Sequence, residues 1–207
     1  MVKPLLLGPG IRLWREKFPE NRQEALLHAV LTGIAEAPFY RPRMPGSGKE
    51  FSVEESNLGP LGWVSDKNGY RYQPDHPITG KPWPAIPLPL MDLWREIAGA
   101  PDAECCLVNL YRGPARMGLH QDKDEIALSA PVVSVSLGDE ALFRIGGQRR
   151  QGPTQSVVLH SGDVVMFGGP ARLAYHGIDR IRSGSASLVP GGGRINLTLR
   201  RVRLGGG

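Results

Sequence analysis

The first half of the chain contains two segments with the hydrophobic spacing of an amphipathic helix. In residues 20–38 the apolar positions recur every three or four residues, and Pro38 interrupts the pattern. Residues 90–100 repeat this spacing and carry a glycine near their end. The sequence therefore predicts two helices, separated by a loop-rich stretch with many glycines and prolines over residues 39–89.

The pattern changes at Cys105, where short runs of β-branched and other apolar residues begin to alternate with turns that contain glycine or aspartate. The predicted strands are CCLVNLY, PVVSVSLG, ALFRIGG, QSVVLH, DVVMFGG, RLAYHGI and RINLTLRRV. About seven short strands joined by such turns are typical of a β-sandwich or a jelly-roll barrel. We therefore predict a mainly β fold with helices packed on its outside.

Composition adds a weak preference for an anionic partner. The 207 residues include 25 lysines and arginines against 20 acidic residues, which gives a net charge of +5. A basic balance favours nucleic acid as a partner, although a solubilising surface would have the same composition. Six arginines supply much of the positive charge of the second half: Arg149, Arg150, Arg194, Arg200, Arg201 and Arg203.

Cysteine usage and hydropathy favour a cytoplasmic protein without a membrane segment. Cys105 and Cys106 are adjacent, and neighbours on a strand point to opposite faces, so we expect no bond between them. We expect both thiols to be reduced and at least one to be buried. The apolar start, PLLLGPG, is too short for the core of a signal peptide, and no apolar run reaches membrane-spanning length.

The segment GLHQDKDE, residues 118–125, places charged residues between two apolar runs. A solvated turn is one interpretation, and a metal site is the other. If the segment is extended, His120 and Asp122 project to the same side, and His176 in RLAYHGI can supply a third ligand. Two histidines and one carboxylate form the facial triad of non-haem Fe(II) oxygenases, although this spacing alone is a weak signal.

The last predicted strand, RINLTLR, has one apolar face and one polar face. The polar face carries Arg194, Asn196, Thr198 and Arg200. Such a face usually meets water, which is the simpler interpretation. If it lines the cavity into which the histidines point, its arginines need anions, and a dicarboxylate held by one guanidinium meets that need. Asn109 and Tyr111 share one face of CCLVNLY and can donate to the same ligand.

Together, NLYRGPARMGLHQDKDE, RLAYHGI and RINLTLR resemble the AlkB family of Fe(II)/2-oxoglutarate-dependent nucleic-acid dealkylating dioxygenases, especially its bacterial members. LGW, GYRY, KPWPA, PVVSVSLG and GDVV match in the same order, so the resemblance runs from about Trp63 to Arg200. It implies a double-stranded β-helix (jelly roll) core with flanking helices and an N-terminal nucleotide-recognition lid. Residues 1–207 would form a single dioxygenase domain, with the helices and lid region in 1–104 and the catalytic core in 105–203.

The resemblance also implies an activity. The enzyme would use Fe(II), 2-oxoglutarate and O2 to dealkylate N-alkylated bases of the 1-methyladenine and 3-methylcytosine type, with release of an aldehyde, succinate and CO2. This is direct-reversal DNA repair. The expected partner is alkylated single-stranded or double-stranded DNA, with RNA left open. We expect a monomer that has no contact with membranes.

Residue roles follow from the same resemblance, position by position. His120, Asp122 and His176 would ligate the iron, and Arg194 would bind the distal carboxylate of 2-oxoglutarate. The residues that would assist in binding this co-substrate are Asn109, Tyr111, Asn196 and, nearer the metal, Arg200. Asp124 would accept a hydrogen bond from the exocyclic amine of the base. The lid over the base would include Trp63 and Tyr70. Arg150 and Arg149 would hold the phosphates of the nucleic acid.

Two features depart from the family pattern. Phe167 stands where bacterial members carry tryptophan, and the lid segment MPGSGKEFSVEES is more polar and more acidic than expected. Its glutamates, Glu50, Glu54 and Glu55, would repel phosphate if they faced DNA. These departures leave the iron chemistry unchanged and bear on the choice of lesion and strand.

Two other functions share part of this pattern. A 2-oxoglutarate-dependent hydroxylase or demethylase that acts on protein or a small molecule would have the same core, without a need for a basic rim or an aromatic lid. A non-enzymatic nucleic-acid-binding module would bind DNA equally with and without iron.

Overall fold

The fold consists of two antiparallel sheets, two helices and a separate hairpin, in a computed structural model that describes residues 3–205. Helix α1 spans Glu20–Glu36 and helix α2 spans Leu88–Ile97. The strands are β1 (Leu5–Gly8), β2 (Ile11–Trp14), β3 (Glu54–Leu58), β4 (Gly62–Asp66), β5 (Gly69–Gln73), β6 (Cys105–Tyr111), β7 (Met117–His120), β8 (Val132–Gly138), β9 (Glu140–Ile145), β10 (Gln155–Leu159), β11 (Val164–Phe167), β12 (His176–Arg182) and β13 (Arg194–Arg200).

The two larger sheets face each other across a shared apolar layer. The first has seven strands in the order β1-β2-β11-β8-β13-β6-β3, and the second has four in the order β10-β9-β12-β7. Buried side chains from both sheets meet between them, including Leu13, Phe143, Ile145, Val165 and Ile178. Two facing antiparallel sheets with this crossed strand order form the predicted jelly roll, so the predicted fold class is confirmed.

The two helices cover the outer face of the seven-stranded sheet. Leu26 and Val30 of α1 and Leu90 and Trp94 of α2 join one buried cluster with apolar side chains of β8 and β13. Both predicted helices are therefore confirmed. Helix α2 begins and ends slightly earlier than the apolar pattern indicated, because Pro87 precedes its first turn and Ala98 caps it.

Strand β13 lies between β8 and β6 and separates two environments. Its apolar residues Ile195, Leu197 and Leu199 are buried against the helices. The alternate residues, including Arg194 and Arg200, therefore point between the sheets, since successive side chains of a strand lie on opposite faces. The polar face predicted from RINLTLR lines an internal cavity, and the interpretation as a water-exposed face is wrong.

The prediction of a loop over residues 39–89 is wrong in part, because three strands lie in this stretch. Strand β3 pairs with β6 at the edge of the large sheet, and β4 and β5 form a hairpin. The sequence of β3, EESNL, is mostly polar and has no strand pattern of its own; its burial depends on pairing with β6. Strands β1, β2 and β3 all belong to the large sheet, so that sheet extends beyond residues 105–203. The division of one domain into residues 1–104 and 105–203 stays a prediction.

Cys105 and Cys106 are not bonded to each other, as their adjacent positions predicted. Both thiols are free and buried. Cys106 joins the cluster beneath the helices, whereas Cys105 belongs to a cluster with Leu107 and Val202 on the opposite face. Within residues 3–205, no helix has both the length and the apolar character needed to cross a membrane.

Truncation of a central β13 side chain tests the fold. Leu197 is 0% exposed, so we expect Leu197→Ala to lower the free energy of unfolding by about 2–5 kcal/mol through lost burial and the cavity left behind. Urea unfolding followed by circular dichroism measures this change. Leu204, which is 64% exposed, is the control, and Leu204→Ala should change the value by less than about 0.5 kcal/mol. Equal midpoints for the two variants would contradict the assigned orientation of β13.

Candidate metal centre and active site

His120 and His176 meet because the two strands that carry them are neighbours. His120 ends β7 and His176 begins β12, and the antiparallel pairing places the two residues directly opposite each other. Asp122 lies just beyond the end of β7, so the pair His120 and Asp122 does not share one continuous strand as the spacing suggested. One ligand atom from each of the three side chains lies within 4.8 Å of the others.

Backbone carbonyls orient both imidazoles toward Asp122. Nδ1 of His120 lies 2.9 Å from the carbonyl oxygen of Gly118, and Nδ1 of His176 lies 3.0 Å from that of Ala174. In the neutral tautomer that donates from Nδ1, the lone pair is on Nε2. These Nε2 atoms lie 3.8 Å and 3.7 Å from the two carboxylate oxygens of Asp122. The three side chains therefore converge on one point with free lone pairs.

Electrostatics hold His176 and Asp122 in the protonation states that a metal needs. Burial, together with repulsion from His120, lowers the pKa of His176 to about 4, so this imidazole is neutral near pH 7. Burial alone would raise the pKa of Asp122, but Arg200 and the two imidazoles outweigh it and hold this pKa well below its usual range. Oδ2 of Asp122 is buried and has no hydrogen-bond partner within residues 3–205. Two imidazoles whose Nε2 atoms face one unsatisfied carboxylate fit Fe(II) with open coordination positions.

A buried network holds the segment that carries Asp122. Nη2 of Arg200 donates to Oδ1 of Asp122 at 2.9 Å, and Nε of Arg200 lies 3.3 Å from Oε1 of Glu125. Arg172 donates to the other oxygen of Glu125 at 2.9 Å and to the backbone carbonyl of Asp122 at 2.6 Å. The hydroxyl of Tyr72, on β5, donates to Glu125. Arg200 thus positions Asp122, a candidate metal ligand, in addition to lining the cavity.

Sequence reasoning missed Glu125, Arg172 and Tyr72 as parts of this network. A signal was present for Glu125, because it is the acid of HQDKDE that immediately precedes an apolar residue, and only 5% of its surface is exposed. No sequence pattern indicated that Arg172 would be its partner, since the two residues are far apart in the chain.

A cavity of about 600 Å³ lies beside the triad and contains an unpaired cation. Arg194 is 0% exposed, donates to Oγ of Ser136 at 2.7 Å, and has no partner for Nε. No carboxylate lies within ion-pair distance of Arg194 in the described part of the chain. Burial lowers the pKa of Arg194 to about 10, which still leaves it charged at neutral pH. A buried guanidinium without an anion is a site for one.

The remaining residues expected to bind the co-substrate line the same cavity. Asn109 and Tyr111 come from β6, and Asn196 comes from the neighbouring β13. Asn196 donates to Oγ of Ser134 at 2.7 Å, while Oδ1 of Asn109 is buried without a partner within residues 3–205. The two serines were not recognised from sequence, although they alternate in PVVSVSLG on the face that points inward.

Four further predicted residues lie at the opening of the cavity. Nε1 of Trp63 donates to Oδ2 of Asp124 at 2.8 Å, and the rings of Trp63 and Tyr70 stack with centroids 5.4 Å apart. Trp63 is on β4 and Tyr70 is on β5, so the hairpin forms one side of the opening. Arg150 lies on the loop between β9 and β10 and lines the cavity as well. The structure therefore brings these side chains to one place.

The acidic residues of the lid segment do not present free carboxylates at its surface. Glu50 pairs with Arg43 at 2.8 Å, and Glu54 pairs with Arg41 at 3.2 Å. Glu55 is fully buried and lines the cavity. These residues therefore repel phosphate less than expected, because Glu50 and Glu54 are paired with arginines and Glu55 lies inside the cavity.

Exposed cations surround the cavity. Lys49, Arg116, Lys123 and Arg150 line it and are exposed, and within residues 3–205 none of the four forms an ion pair; we call them the basic rim. Arg201 and Arg203 do not belong to it, because both pair with the buried Glu104. The basic rim thus places four exposed cations at the opening of the cavity, where an anionic partner can reach them.

Comparison with known proteins matches residues 10–200 to the model of the 2OG-Fe(II) oxygenase superfamily. A Caulobacter vibrioides protein named alpha-ketoglutarate-dependent dioxygenase AlkB homolog is 56% identical, over 98% of this chain and 92% of its own length. The chain belongs to the AlkB family of 2OG-Fe(II) oxygenases. Escherichia coli AlkB is 42% identical over 97% of this chain and 93% of its own length.

A solved structure supports the same family. The structure of OsALKBH1 superimposes with a TM-score of 0.76 at 31% identity, covering 96% of this chain and 99% of that one. As an AlkB-family member, the protein is a 2-oxoglutarate-dependent dioxygenase that uses Fe(II) and O2, and the predicted enzyme class and cofactors are confirmed. Phe167, the departure noted above, stacks on the ring of His176 with centroids 4.8 Å apart.

A glycine beside the triad gives a test of its geometry. A Cβ on Gly177 would lie 2.5 Å from the carbonyl oxygen of Met117 and 2.8 Å from that of Gly118. Because Gly118 supplies the acceptor that orients His120, Gly177→Ala should weaken Mn(II) binding by at least about tenfold, measured by isothermal titration calorimetry. Gly118→Ala is the control, since a Cβ there meets nothing within 4 Å. Unchanged Mn(II) affinity of a folded Gly177→Ala protein would disprove this packing.

Proposed function

We propose that the protein removes alkyl groups oxidatively from N-alkylated bases of DNA, with lesions of the 1-methyladenine and 3-methylcytosine type as substrates. One observation carries this proposal: the His-Asp-His cluster opens into a cavity whose entrance combines stacked aromatic rings, a carboxylate and the basic rim. Relatives support it by name, since an Arabidopsis thaliana protein named DNA N(6)-methyladenine demethylase ALKBH1C is 31% identical over 95% of this chain and 49% of its own length.

In this proposal His120, Asp122 and His176 hold the iron. Their free lone pairs converge, and Arg200 keeps the carboxylate of Asp122 in place. Bound iron, with 2-oxoglutarate and O2, supplies the oxidation of the N-alkyl carbon that releases an aldehyde, succinate and CO2. The protein contributes position and exclusion of water: both imidazoles are oriented by backbone carbonyls, and Phe167 covers one face of His176.

The co-substrate would lie between Arg194 and the triad. Arg194 can form two parallel hydrogen bonds to the distal carboxylate of 2-oxoglutarate, which satisfies its unpaired buried charge. Asn109 and Tyr111 line the same space and would donate to the co-substrate, and Asn196 would assist as a further polar group of the cavity wall. Arg200 lies at the metal end of the polar face, where its guanidinium is already shared by Asp122 and Glu125.

The base would enter the cavity after leaving the duplex stack. A base must be extruded to reach a buried metal, and an alkylated base that pairs poorly needs the least free energy for this step. Trp63 and Tyr70 offer aromatic faces to a flat cation, and the free oxygen of Asp124 can accept from its exocyclic amine. The carboxylate of Asp124 also complements the positive charge of these lesions.

The basic rim would hold the phosphates on either side of the extruded base. Arg150 belongs to this rim, and such contacts are independent of sequence. We propose single-stranded and double-stranded DNA as partners, with alkylated RNA as a further substrate. We propose that the protein acts as a monomer. Two buried free thiols agree with the reducing conditions of the cytoplasm.

One assay tests the function. Protein, Fe(II) and 2-oxoglutarate are incubated with oligonucleotides that each carry one defined lesion, and mass spectrometry follows loss of the alkyl group. We expect dealkylation in step with succinate release. Succinate release that methylated oligonucleotides neither stimulate nor inhibit would favour a hydroxylase of protein or a small molecule. DNA binding that is equal with and without iron, and no succinate, would favour a binding module.

Replacement of a triad residue should abolish turnover. We expect His120→Ala and His176→Ala to lower lesion repair by at least about a thousandfold, because each removes a ligand that no nearby group replaces. The readout is repaired oligonucleotide per enzyme under saturating Fe(II). His28→Ala is the matched control, since His28 is exposed on α1, and it should repair at the normal rate. Full lesion repair by either triad variant would refute the ligand assignment.

Replacement of Asp124 should change selectivity and spare the metal. We expect Asp124→Ala to retain Mn(II) and 2-oxoglutarate binding, while the ratio of rates on adenine and cytosine lesions changes by about three- to tenfold, the size of one hydrogen bond to a charged group. Competition between the two lesions in one reaction measures the ratio. Asp92→Ala, on the exposed face of α2, serves as the control. An unaltered ratio would remove Asp124 from base recognition.

A further inference from the structure

Glu55 is a buried acid that the proposed mechanism does not use. It lies on β3, is 0% exposed, and lines the same cavity as the triad and Arg194. Neither oxygen of its carboxyl group has a hydrogen-bond partner in the described chain. Its neighbours on β3 differ: Ser56 donates to the backbone of Ala37, and Glu54 pairs with Arg41. A buried polar group without a partner lowers stability, so a carboxyl group in this position is expected to have a function.

Glu55 lies opposite Asn109 across the sheet, and both residues line the cavity. The antiparallel pairing of β3 and β6 places the two residues directly opposite each other, at a separation where side chains on one face touch. Oδ1 of Asn109 is also buried and unpartnered within residues 3–205. The other end of this amide, Nδ2, donates to no protein group in that range and is not buried, so it opens on the cavity.

Two adjacent acceptors cannot satisfy each other, but an acid and an amide can. A protonated Glu55 donates its hydrogen to Oδ1 of Asn109 and leaves Nδ2 free to donate into the cavity. An ionised Glu55 would instead accept from Nδ2 and would turn the carbonyl of Asn109 toward the cavity. Burial, only partly offset by Arg200, raises the pKa of Glu55 to about 8, so the acid form predominates at pH 7.

We propose that Glu55 is a positioning residue for the co-substrate: its neutral carboxyl group donates to Oδ1 of Asn109 and thereby directs Nδ2 of Asn109 toward 2-oxoglutarate. This inference rests on the proposed role of Asn109. The orientation matters because 2-oxoglutarate carries only acceptor oxygens and two negative charges. A carbonyl oxygen turned toward it would repel it, and an ionised Glu55 would add a further like charge to a cavity that already contains Asp122.

The test is 2-oxoglutarate binding by the Mn(II)-loaded protein, measured by isothermal titration calorimetry. Glu55→Met keeps approximate length and volume without a donor, whereas Glu55→Gln keeps a donor that can reach Asn109. We expect Glu55→Met to weaken 2-oxoglutarate binding by about three- to tenfold, the size of one hydrogen bond, and Glu55→Gln to stay within about twofold. Glu54→Gln, next in the chain and partly exposed, is the matched control and should bind normally.

Two further readouts separate positioning from a general structural effect. In steady state, Glu55→Met should raise KM for 2-oxoglutarate and leave kcat nearly unchanged. Infrared spectroscopy at pH 7 should show the carbonyl band of a protonated carboxylic acid that disappears in Glu55→Gln.

Several results would overturn the proposal. One is that Glu55→Met binds 2-oxoglutarate with normal affinity. Another is that Glu55→Gln and Glu55→Met weaken this binding equally. A third is that the infrared spectrum contains no acid band that can be assigned to Glu55. A change confined to KM for the oligonucleotide would place Glu55 on the substrate side and would refute it too. Normal 2-oxoglutarate binding with the expected variant pattern, but no repair of any lesion, would reject the proposed function and leave this inference intact.

Discussion

The two-residue alternation of β13 is the constraint on which the rest of the structure depends. One strand contributes leucines to the core beneath the helices and, on its other face, the two arginines of the cavity. Its hydrogen bonds to β8 on one side and β6 on the other allow no slip, because a shift of one residue would exchange the two faces. The hydrophobic effect that stabilises the sheet therefore also determines where Arg194 and Arg200 point.

Burial of charged groups around the cavity lowers the stability of the fold, and ion pairs between these groups offset much of this cost. Asp122 and Glu125 alternate with Arg200 and Arg172, so each buried charge near the metal centre lies beside an opposite one. Arg194 is the exception, and its charge lacks a partner among the described residues. Buried cations without anions are unfavourable, and binding of an anion recovers that free energy. If Arg194 has its proposed role, the lack of a protein anion beside it lowers fold stability and favours binding of the co-substrate.

Sequence predicted the parts of this structure that depend on local pattern. Both helices, a mainly β core and the two faces of RINLTLR followed from the spacing of apolar residues. Family resemblance supplied the jelly roll and the roles of His120, Asp122 and His176. Strand β3 was missed because EESNL is polar and becomes a strand only through its contact with β6. The contact between His120 and His176 and the pairing of Glu125 with Arg172 join distant segments, which periodicity cannot reveal.

The β4–β5 hairpin forms a sheet of its own, outside the two that build the jelly roll. Its side chains reach the segment that follows β7: Trp63 donates a hydrogen bond to Asp124, and Tyr72 donates one to Glu125. Insertions or exchanges within this hairpin leave every strand that carries a triad residue in register. Variation confined to this hairpin would therefore reshape the entrance of the cavity without disturbing the β7–β12 pair that holds the two imidazoles.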